Sequence, residues 1–400
     1  MEPALNRISS IRSTLFRDFD QAKDVWQSLE KTSDHYPFQT WAWLDVWHKT
    51  IGLAQGWSPA ILLLEKEASG AVGLKPHRAV LPLGISGKPP FRRLAWMGEG
   101  VSDYHGPLIG QARQNNDAPR GFFTAEELLS EIRGLAIKMG CGIIDLDRNP
   151  ESFNRLKNPL ASAAFTKIHF KAHSLRLPES AERFLKERFG AKERYNMRRA
   201  AKRLSELGKL EFLVAEDDKA RTYICERMIS LKRDRYKAIG AKDNFADHSF
   251  QEFYRKATTR GDLNVHVSGL YLNGEAIALH WGIKDESTMY YLMPAFAEGP
   301  LRQYSPGLVF LLRFIDYCSS QDLKTLDFTI GDEEYKRKWS TDEMELFKLY
   351  EGRGLAGGAL AALKTTGDWI RLSPLRRPIT RLRSKARKLL TRDNQFPGER

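Results

Sequence analysis

Short apolar runs alternate with amphipathic stretches along the first half of the chain. Runs of mostly apolar residues predict buried strands over 60–64, 79–83, 94–97 and 142–146. Apolar residues spaced three or four apart predict helices over 19–29, 40–50 and 125–138, the last of which ends at a glycine. Trp43 and Trp47 share one face of the second helix, and we expect them to pack in the core. Strands that alternate with helices predict a mixed α/β layer.

The second half has a more regular pattern. It predicts strands over 210–214, 265–272, 275–283, 288–293, 325–328 and 346–350, and helices over 219–236, 250–259 and 308–319. A basic stretch over 181–207 predicts one helix or a pair of helices that stops at Gly208. Asn273-Gly274 lies between two strands and predicts a tight hairpin turn. The second half is therefore also a mixed α/β unit.

The chain of 400 residues is longer than one compact core usually needs. We expect an N-terminal domain over 1–175, a C-terminal domain over 176–352 and a basic tail over 353–400. The composition, with 42% hydrophobic and 28% charged residues, is typical of a globular protein. The start of the chain has no continuous apolar segment of the kind that a secretory signal requires. We therefore expect a cytoplasmic protein, with a peripheral site on the inner membrane face as a further option.

The three cysteines are far apart and do not form a C-x-x-C pair. The sequence therefore supports neither a zinc site nor a disulfide scaffold, and we predict no metal. No serine or cysteine has a recognisable histidine partner, so no covalent intermediate is implied.

The net charge of +13 is concentrated in two segments. Residues 183–209 contain ten basic and three acidic residues, and residues 371–392 contain nine basic and no acidic residues. One interpretation is solvated helix faces and a basic tail. The other is contact with a polyanion: tRNA, an anionic membrane surface or the phosphates of a carrier, with no DNA expected. Apolar residues at helical spacing after Ile379 allow an amphipathic basic helix on an anionic surface.

The most informative segment runs from Asp327 to Trp339, just after a predicted strand end. A short polar turn is predicted to present Tyr335 and Lys336. If an amine attacks an ester or a thioester, a nearby ammonium can stabilise the oxyanion, so Lys336 is the leading catalytic candidate. Its alternative role is surface solvation beside Arg337 and Lys338. Asp327 or Asp332 can act as a general base or can cap the turn at Gly331.

Two other segments carry polar groups that suit a binding site. Ser305-Pro306-Gly307 stands at a predicted helix start, where exposed N–H groups and the helix dipole attract anions. It is either a phosphate site or an ordinary helix start. The glycine-rich loop over 98–108 contains Asp103 and Tyr104, which either contact substrate or stabilise a turn.

These segments, in this order, resemble the CelD-type (cellulose biosynthesis-associated), FemAB-like group of GNAT acyltransferases. The resemblance rests on Phe38-Gln39-Thr40-Trp41, Asp103-Tyr104, Arg198-Arg199, Ser305-Pro306-Gly307 and the segment from Asp327 to Trp339. It implies two tandem GNAT-like domains followed by a basic helical tail. It also implies a catalytic role for Tyr335-Lys336, donor contacts at Ser305-Pro306-Gly307, and substrate contacts at Asp103, Tyr104, Arg235 and Trp339.

The implied reaction transfers an acyl group, from acyl-CoA, to an amine or hydroxyl of a sugar-containing, cell-envelope or exopolysaccharide precursor. One departure concerns the donor, because residues 302–307 supply only one glycine where GNAT enzymes have a Q/R-x-x-G-x-G/A loop. Two alternatives therefore stay open. One is FemAB-like aminoacyl transfer from charged tRNA to a peptidoglycan-type precursor, and the other is a non-catalytic assembly module for polysaccharide biosynthesis.

Overall fold

The structure is a computed structural model, and it describes residues 11–67, 76–110, 122–162, 164–354 and 357–359. Nearly all of the predicted tail over 353–400, including its amphipathic helix, lies outside the described residues. Within the described part of the chain, no helix is both long and apolar enough to cross a membrane.

The first half contains short strands and three α-helices among the described residues. The strands are β1 (Ile11–Phe16), β2 (Ser58–Pro59), β3 (Ile61–Lys66), β4 (His77–Leu81), β5 (Leu83–Ser86), β6 (Arg93–Trp96), β7 (Leu108–Ile109), β8 (Ile143–Pro150), β9 (Ser152–Phe153), β10 (Leu156–Lys157) and β11 (Thr166–Lys167). The helices are α1 (Phe19–Glu30), α2 (Trp41–Trp47) and α3 (Ala125–Lys138). A 3-10 turn over Pro37–Gln39 precedes α2, and a π-helical turn over His48–Gly52 extends it.

The second half has longer strands. They are β12 (Ala172–Arg176), β13 (Leu210–Val214), β14 (Val265–Leu272), β15 (Glu275–Lys284), β16 (Thr288–Phe296), β17 (Thr325–Ile330), β18 (Asp342–Met344) and β19 (Leu346–Gly352). The helices are α4 (Ala181–Arg188), α5 (Ala191–Ser205), α6 (Asp218–Ile239), α7 (His248–Thr259), α8 (Pro306–Ser320) and α9 (Glu334–Trp339). Short 3-10 turns cover Asn244–Ala246 and Pro300–Tyr304. The predicted α/β class is confirmed.

Local signals explain the main helices. In α1, the Asp18 carboxylate caps the helix by accepting from two backbone amides, and Trp26 is fully buried on the inner face. The predicted core positions Trp43 and Trp47 are also fully buried. The basic stretch after residue 181 forms a pair of helices, because the chain becomes extended at Phe189 and Gly190 between α4 and α5.

Two strands cross between the halves. A seven-stranded sheet has the order β13-β14-β15-β16-β17-β12-β18, and a six-stranded sheet has the order β11-β19-β8-β6-β5-β2. Thus β12, which ends at the predicted boundary, pairs with β17 and β18 of the second half. In return β19, the last strand expected in the C-terminal domain, pairs with β8 and β11 of the first half. The boundaries 1–175, 176–352 and 353–400 stay a prediction.

Each large sheet contains one parallel pair of strands that separates after three residue pairs. In the second half β16 and β17 pair from Thr288/Thr325 to Tyr290/Asp327 and are joined by α8. In the first half β6 and β8 pair from Arg93/Ile143 to Ala95/Asp145 and are joined by a connection that contains α3. A parallel pair needs such a crossover. Where the strands diverge, their backbones leave a wedge that side chains or a ligand must fill.

Candidate functional site

A cavity of about 540 Å³ occupies the wedge between β16 and β17. Its walls come from the C-terminal part of β16, the middle of α6, the start of α8 and the segment after β17. The lining residues are Leu231, Lys232, Arg235, Tyr291, Pro294, Ala295, Phe296, Ala297, Glu298, Arg302, Ser305, Pro306, Gly307, Leu308, Leu311, Glu333, Tyr335 and Trp339. The cavity therefore brings together six residues that the sequence singled out: Arg235, Ser305, Pro306, Gly307, Tyr335 and Trp339.

The start of α8 forms one end of this cavity. Ser305 has a left-handed backbone (φ 53°) and provides no side-chain cap, and Pro306 is the first helical residue. A Cβ on Gly307 would lie 2.8 Å from the Phe296 ring, so only glycine leaves this wall in place. The first turn contains no acidic residue. An anion here would meet the positive end of a 15-residue helix and the neighbouring guanidinium of Arg302.

Two arginines in the cavity wall share one carboxylate. Arg235 Nη1 lies 2.8 Å from Glu298 Oε1, and Arg302 Nη1 lies 3.5 Å from Glu298 Oε2. Arg235 therefore lines the cavity, where Glu298 partly compensates its charge, and its substrate contact stays a prediction.

Lys232 lies one helical turn from Arg235 and was not predicted. Among the described residues, its ammonium has no hydrogen bond and no carboxylate within 4.0 Å. Burial, together with the charge of nearby Lys336, lowers the pKa of Lys232 to about 8. The i, i+3 spacing of two basic residues on a helix was a weak signal for this site, because such pairs are common on exposed faces.

Lys336 is buried on α9, where its side chain is 8% exposed. Its Nζ donates to the Ile330 carbonyl oxygen at 2.5 Å and lies 3.3 Å from a carboxylate oxygen of Glu333. The predicted polar turn is wrong, since residues 334–339 form a short helix whose turns carry Tyr335 and Lys336. The alternative of surface solvation does not fit this burial. An ammonium has three N–H donors, and two of them are accounted for by these contacts.

Tyr335 and Trp339 belong mainly to the apolar wall. Burial raises the pKa of Tyr335, so its hydroxyl stays protonated at neutral pH. Trp339 is 4% exposed and packs against Phe184 and Phe189, so it offers only part of its surface to the cavity. Asp332 is exposed and does not line the cavity; its backbone oxygen accepts from Arg337. The roles proposed for these residues from the sequence stay predictions.

Asp327 faces the first half of the chain and does not line the large cavity. Its carboxylate accepts from the Tyr104 hydroxyl at 2.9 and 3.0 Å and from the Thr329 amide at 2.7 Å. Burial raises the pKa of Asp327 to about 7, and the two hydrogen bonds oppose this shift. A smaller pocket of about 170 Å³ beside it is also lined by Tyr36 and His173. These contacts resemble an anchor between the halves more than a base with a free lone pair.

The loop that carries Asp103 and Tyr104 therefore meets the segment around Asp327. Burial raises the pKa of Asp103, while Arg148 at 3.9 Å and a hydrogen bond with Thr329 act against it. Lys336 is close enough for its charge to lower the pKa of both Asp103 and Asp327. Sequence reasoning selected these residues separately, and the fold places them in one buried polar cluster at the junction of the halves.

Comparison with known proteins identifies the larger part of the second half. Residues 191–337 match the family model described as an acetyltransferase (GNAT) domain, so the chain contains a GNAT-type domain. The wedge, Lys336 and the residues that line the cavity, apart from Trp339, lie within this match. No curated protein is detectably similar in sequence to the chain.

Solved structures show likeness in fold at low identity. FemX is 13% identical over 83% of this chain and 96% of its own, with a TM-score of 0.50. L-PGS from Bacillus licheniformis is 11% identical over 85% of this chain and 97% of its own, with a TM-score of 0.46. A tandem GNAT protein from the clavulanic acid biosynthesis pathway is 12% identical over 86% of this chain and 99% of its own, with a TM-score of 0.45. The likeness to FemX is one of fold alone, and the family match covers one GNAT-type domain. The tandem of two GNAT-like domains and the CelD-type assignment therefore stay predictions.

The described residues contain no cluster of three histidine, cysteine or acidic side chains that would hold a metal ion. In that part of the chain, the polar chemistry of the cavity comes from lysine, arginine, glutamate and tyrosine side chains and from the start of α8. The lysine and arginine side chains and the start of α8 bind anions and stabilise developing negative charge, whereas the carboxylates of Glu298 and Glu333 oppose this.

Proposed function

We propose that the protein is an acyltransferase that binds acyl-CoA in the wedge between β16 and β17. The observation that carries the proposal is the cavity of about 540 Å³ inside the GNAT-type match, which has an uncapped helix start and three cations in its wall. This volume is in the range of small-molecule sites. The start of α8 and Arg302 would hold phosphate, and the apolar wall would hold the rest of the donor.

The acceptor in this proposal is an amine or a hydroxyl of a sugar-containing or cell-envelope precursor. Its nucleophilic atom attacks the thioester carbonyl, a bond to carbon forms, and the C–S bond breaks to release a thiolate. The proton that the nucleophile loses balances the proton that the thiolate takes up. The third N–H of the Lys336 ammonium would stabilise the oxyanion, because its other two contacts fix the ammonium in place.

The first test measures donor binding and turnover separately. We expect acetyl-CoA to raise the melting temperature, and we expect thiol release from acetyl-CoA when glucosamine is supplied as a probe acceptor. Lys336→Met should reduce the rate roughly 100-fold and leave acetyl-CoA binding intact, because the oxyanion contact is made in the transition state. Lys338→Met is the matched control, since Lys338 lies on the same helix, is exposed, and pairs with Glu334.

Two results would contradict the proposal. One is the absence of any stabilisation by acyl-CoA species. The other is an unchanged rate in Lys336→Met. If acetyl-CoA binds but Lys336→Met preserves cellular function, the non-catalytic assembly module becomes the better interpretation.

One observation favours aminoacyl transfer from charged tRNA as a second candidate. Helix α5 has a single buried residue, Leu204, so its basic side chains lie on the surface. Arg203 stacks on Tyr304, 5.0 Å from the ring centroid, next to the start of α8. The basic surface therefore continues to the edge of the cavity, as a polyanionic carrier would require. Activity that is sensitive to ribonuclease, without thiol release from acetyl-CoA, would support this candidate over the first.

A further inference from the structure

The first half of the chain has its own wedge, at the place that corresponds to the donor cavity. After the three parallel pairs between β6 and β8, the strands separate around a pocket of about 180 Å³. The residues that line it are Arg93, Ala95, Trp96, Glu99, Gly100, His105, Asp145, Asp147 and Arg148. Both halves therefore have a pocket at the place where two parallel strands separate after three residue pairs. The pocket of the first half has about a third of the volume of the donor cavity.

This pocket is not built for a nucleotide-bearing donor. The helix that follows β6 is α3, and a capping box closes its start: the Thr124 hydroxyl accepts from the Glu127 amide, and the Glu127 carboxylate accepts from the Thr124 amide. Glu126 and Glu127 also place two negative charges in its first turn. The start of α8 has neither a cap nor an acid. The start of α3 is also not among the residues that line the pocket, and Lys66 pairs with Glu127, so the pocket has no free helix start of the kind that α8 offers to phosphate.

The Nε2 atom of His105 is a hydrogen-bond acceptor to which no described residue donates. The side chain is 7% exposed, and its Nδ1 lies 3.1 Å from the Asp147 carbonyl oxygen, which can only accept. The proton is therefore on Nδ1, and Nε2 carries a lone pair. This Nε2 is buried and has no hydrogen-bond partner among the described residues. Burial, assisted by the charge of Arg148, lowers the pKa of His105 to about 3, so the ring stays neutral.

The charged groups of the pocket decide which ligand fits. Two arginines, Arg93 and Arg148, oppose three carboxylates, from Glu99, Asp145 and Asp147. An anionic ligand would meet the carboxylates, and a compact cation would meet the guanidinium groups. A neutral ligand with several hydroxyls can donate to Nε2 and the carboxylates and accept from the arginines. Its apolar ring edge can lie along the wall at Ala95 and Trp96.

From this arrangement we infer that the first half binds a neutral saccharide unit in the wedge between β6 and β8. The site is separate from the donor cavity, and the inference does not require that acyl transfer be the reaction. Arg148 connects the two regions, since it donates to the Ser102 carbonyl oxygen beside Asp103, and the following residue, Tyr104, binds Asp327. A saccharide held here would therefore contact the same loop that reaches the polar cluster of the second half.

The test is direct binding of monosaccharides to the full chain, measured by saturation-transfer NMR with N-acetylglucosamine and glucose at millimolar concentrations. His105→Asn should weaken binding about tenfold, because the asparagine amide can still donate to the Asp147 carbonyl while the Nε2 acceptor is lost. His248→Asn is the control, since His248 is exposed on α7, and it should bind as the unchanged protein does. Glu99→Gln, at the half-exposed edge of the pocket, is a second variant that should also weaken binding.

Three outcomes would overturn the inference. The first is the absence of monosaccharide binding by the folded protein. The second is that the His105→Asn and Glu99→Gln variants bind the sugars as tightly as the unchanged protein does. The third is that the protein binds ethanolamine or inorganic phosphate more tightly than the sugars. Because the readout is binding, these outcomes are distinguishable from a failure of the acyl-transfer proposal. If His105→Asn does not fold, Glu99→Gln alone decides.

Discussion

The buried carboxylate of Asp327 makes the stability of the protein depend on pH in an unusual direction. In the unfolded chain an aspartate loses its proton near its ordinary pKa of 3.8, whereas in the folded protein the pKa of Asp327 is about 7 because of burial. Between these values the folded state holds more protons than the unfolded state, so the free energy of unfolding falls as the pH rises. The full loss of stability caused by the buried Asp327 carboxylate is therefore present above pH 7, and it disappears below the pKa of the unfolded chain.

The size of this effect follows from the shift. A difference of about three pKa units corresponds to about 4 kcal/mol, which is a large fraction of the stability of a typical domain. Asp327→Asn removes the titration, and its amide oxygen can still accept from the Tyr104 hydroxyl and the Thr329 amide. From pH 4 to pH 8, the unchanged protein should therefore lose up to about 4 kcal/mol of its free energy of unfolding relative to the Asp327→Asn variant.

The assay is urea unfolding of both proteins across this pH range, followed by tryptophan fluorescence. Comparison of the two curves cancels the titration of all other groups. Tyr104→Phe is the companion variant: it removes a donor that lowers the pKa of Asp327, and it should destabilise the protein more at pH 8 than at pH 5, by about 1.5–3 kcal/mol at the higher pH. A difference between Asp327→Asn and the unchanged protein that does not vary with pH would refute the reasoning.

Three further predictions follow from the same contacts. Gly331→Ala would place a Cβ against the Glu333 carboxylate and 2.7 Å from the Lys336 Nζ, so the pair must move. We expect at least a tenfold loss of rate with donor binding preserved, whereas Gly134→Ala, which meets open space, should be silent. Lys232 should titrate near pH 8 in NMR spectra of the ¹³C-methylated protein, and added CoA should raise its pKa; an unchanged pKa would argue against an anion beside it. Fragments separated after residue 175 should fail to fold alone, because the cut divides β12 from β17 and β19 from β8; a cooperative unfolding transition in either fragment would contradict this.

Local sequence patterns predicted most of the second half because each signal there acts over a few residues. Pro306 and the preceding serine marked the start of α8, and Asn273-Gly274 marked the turn between β14 and β15. The alternation of apolar residues identified the strands that carry the wedge. The short helix α9 was missed, since its six residues are nearly all polar and show no apolar period.

Contacts between distant residues could not be predicted in the same way. Tyr104 and Asp327 are 223 positions apart, and each is an ordinary residue in its own segment. Nor does the sequence of β19 show which of the two sheets the strand will join, because the backbone groups that form a ladder are the same in every strand. Lys232 illustrates the limit for single residues: only the fold shows that this lysine lies in a cavity wall, close to Lys336 and without a direct salt bridge among the described residues.

The exchange of β12 and β19 bears on how the two halves act together. The strand β12 pairs with β17 of the second half, and β19 pairs with β8 of the first half. A rigid rotation of one half against the other would therefore have to break the backbone hydrogen bonds of a sheet. The Tyr104–Asp327 hydrogen bonds lie at the same junction, and Asp327 is the last residue of β17 before the wedge opens. A ligand that moves the loop over 98–106 therefore has a short path to β17 and to the segment after it, which lines the donor cavity. The first half therefore helps to set the position of β17. Because the hydrogen bonds from Tyr104 and Thr329 favour the ionised carboxylate, deprotonation of Asp327 strengthens this contact even though the buried charge lowers the free energy of unfolding.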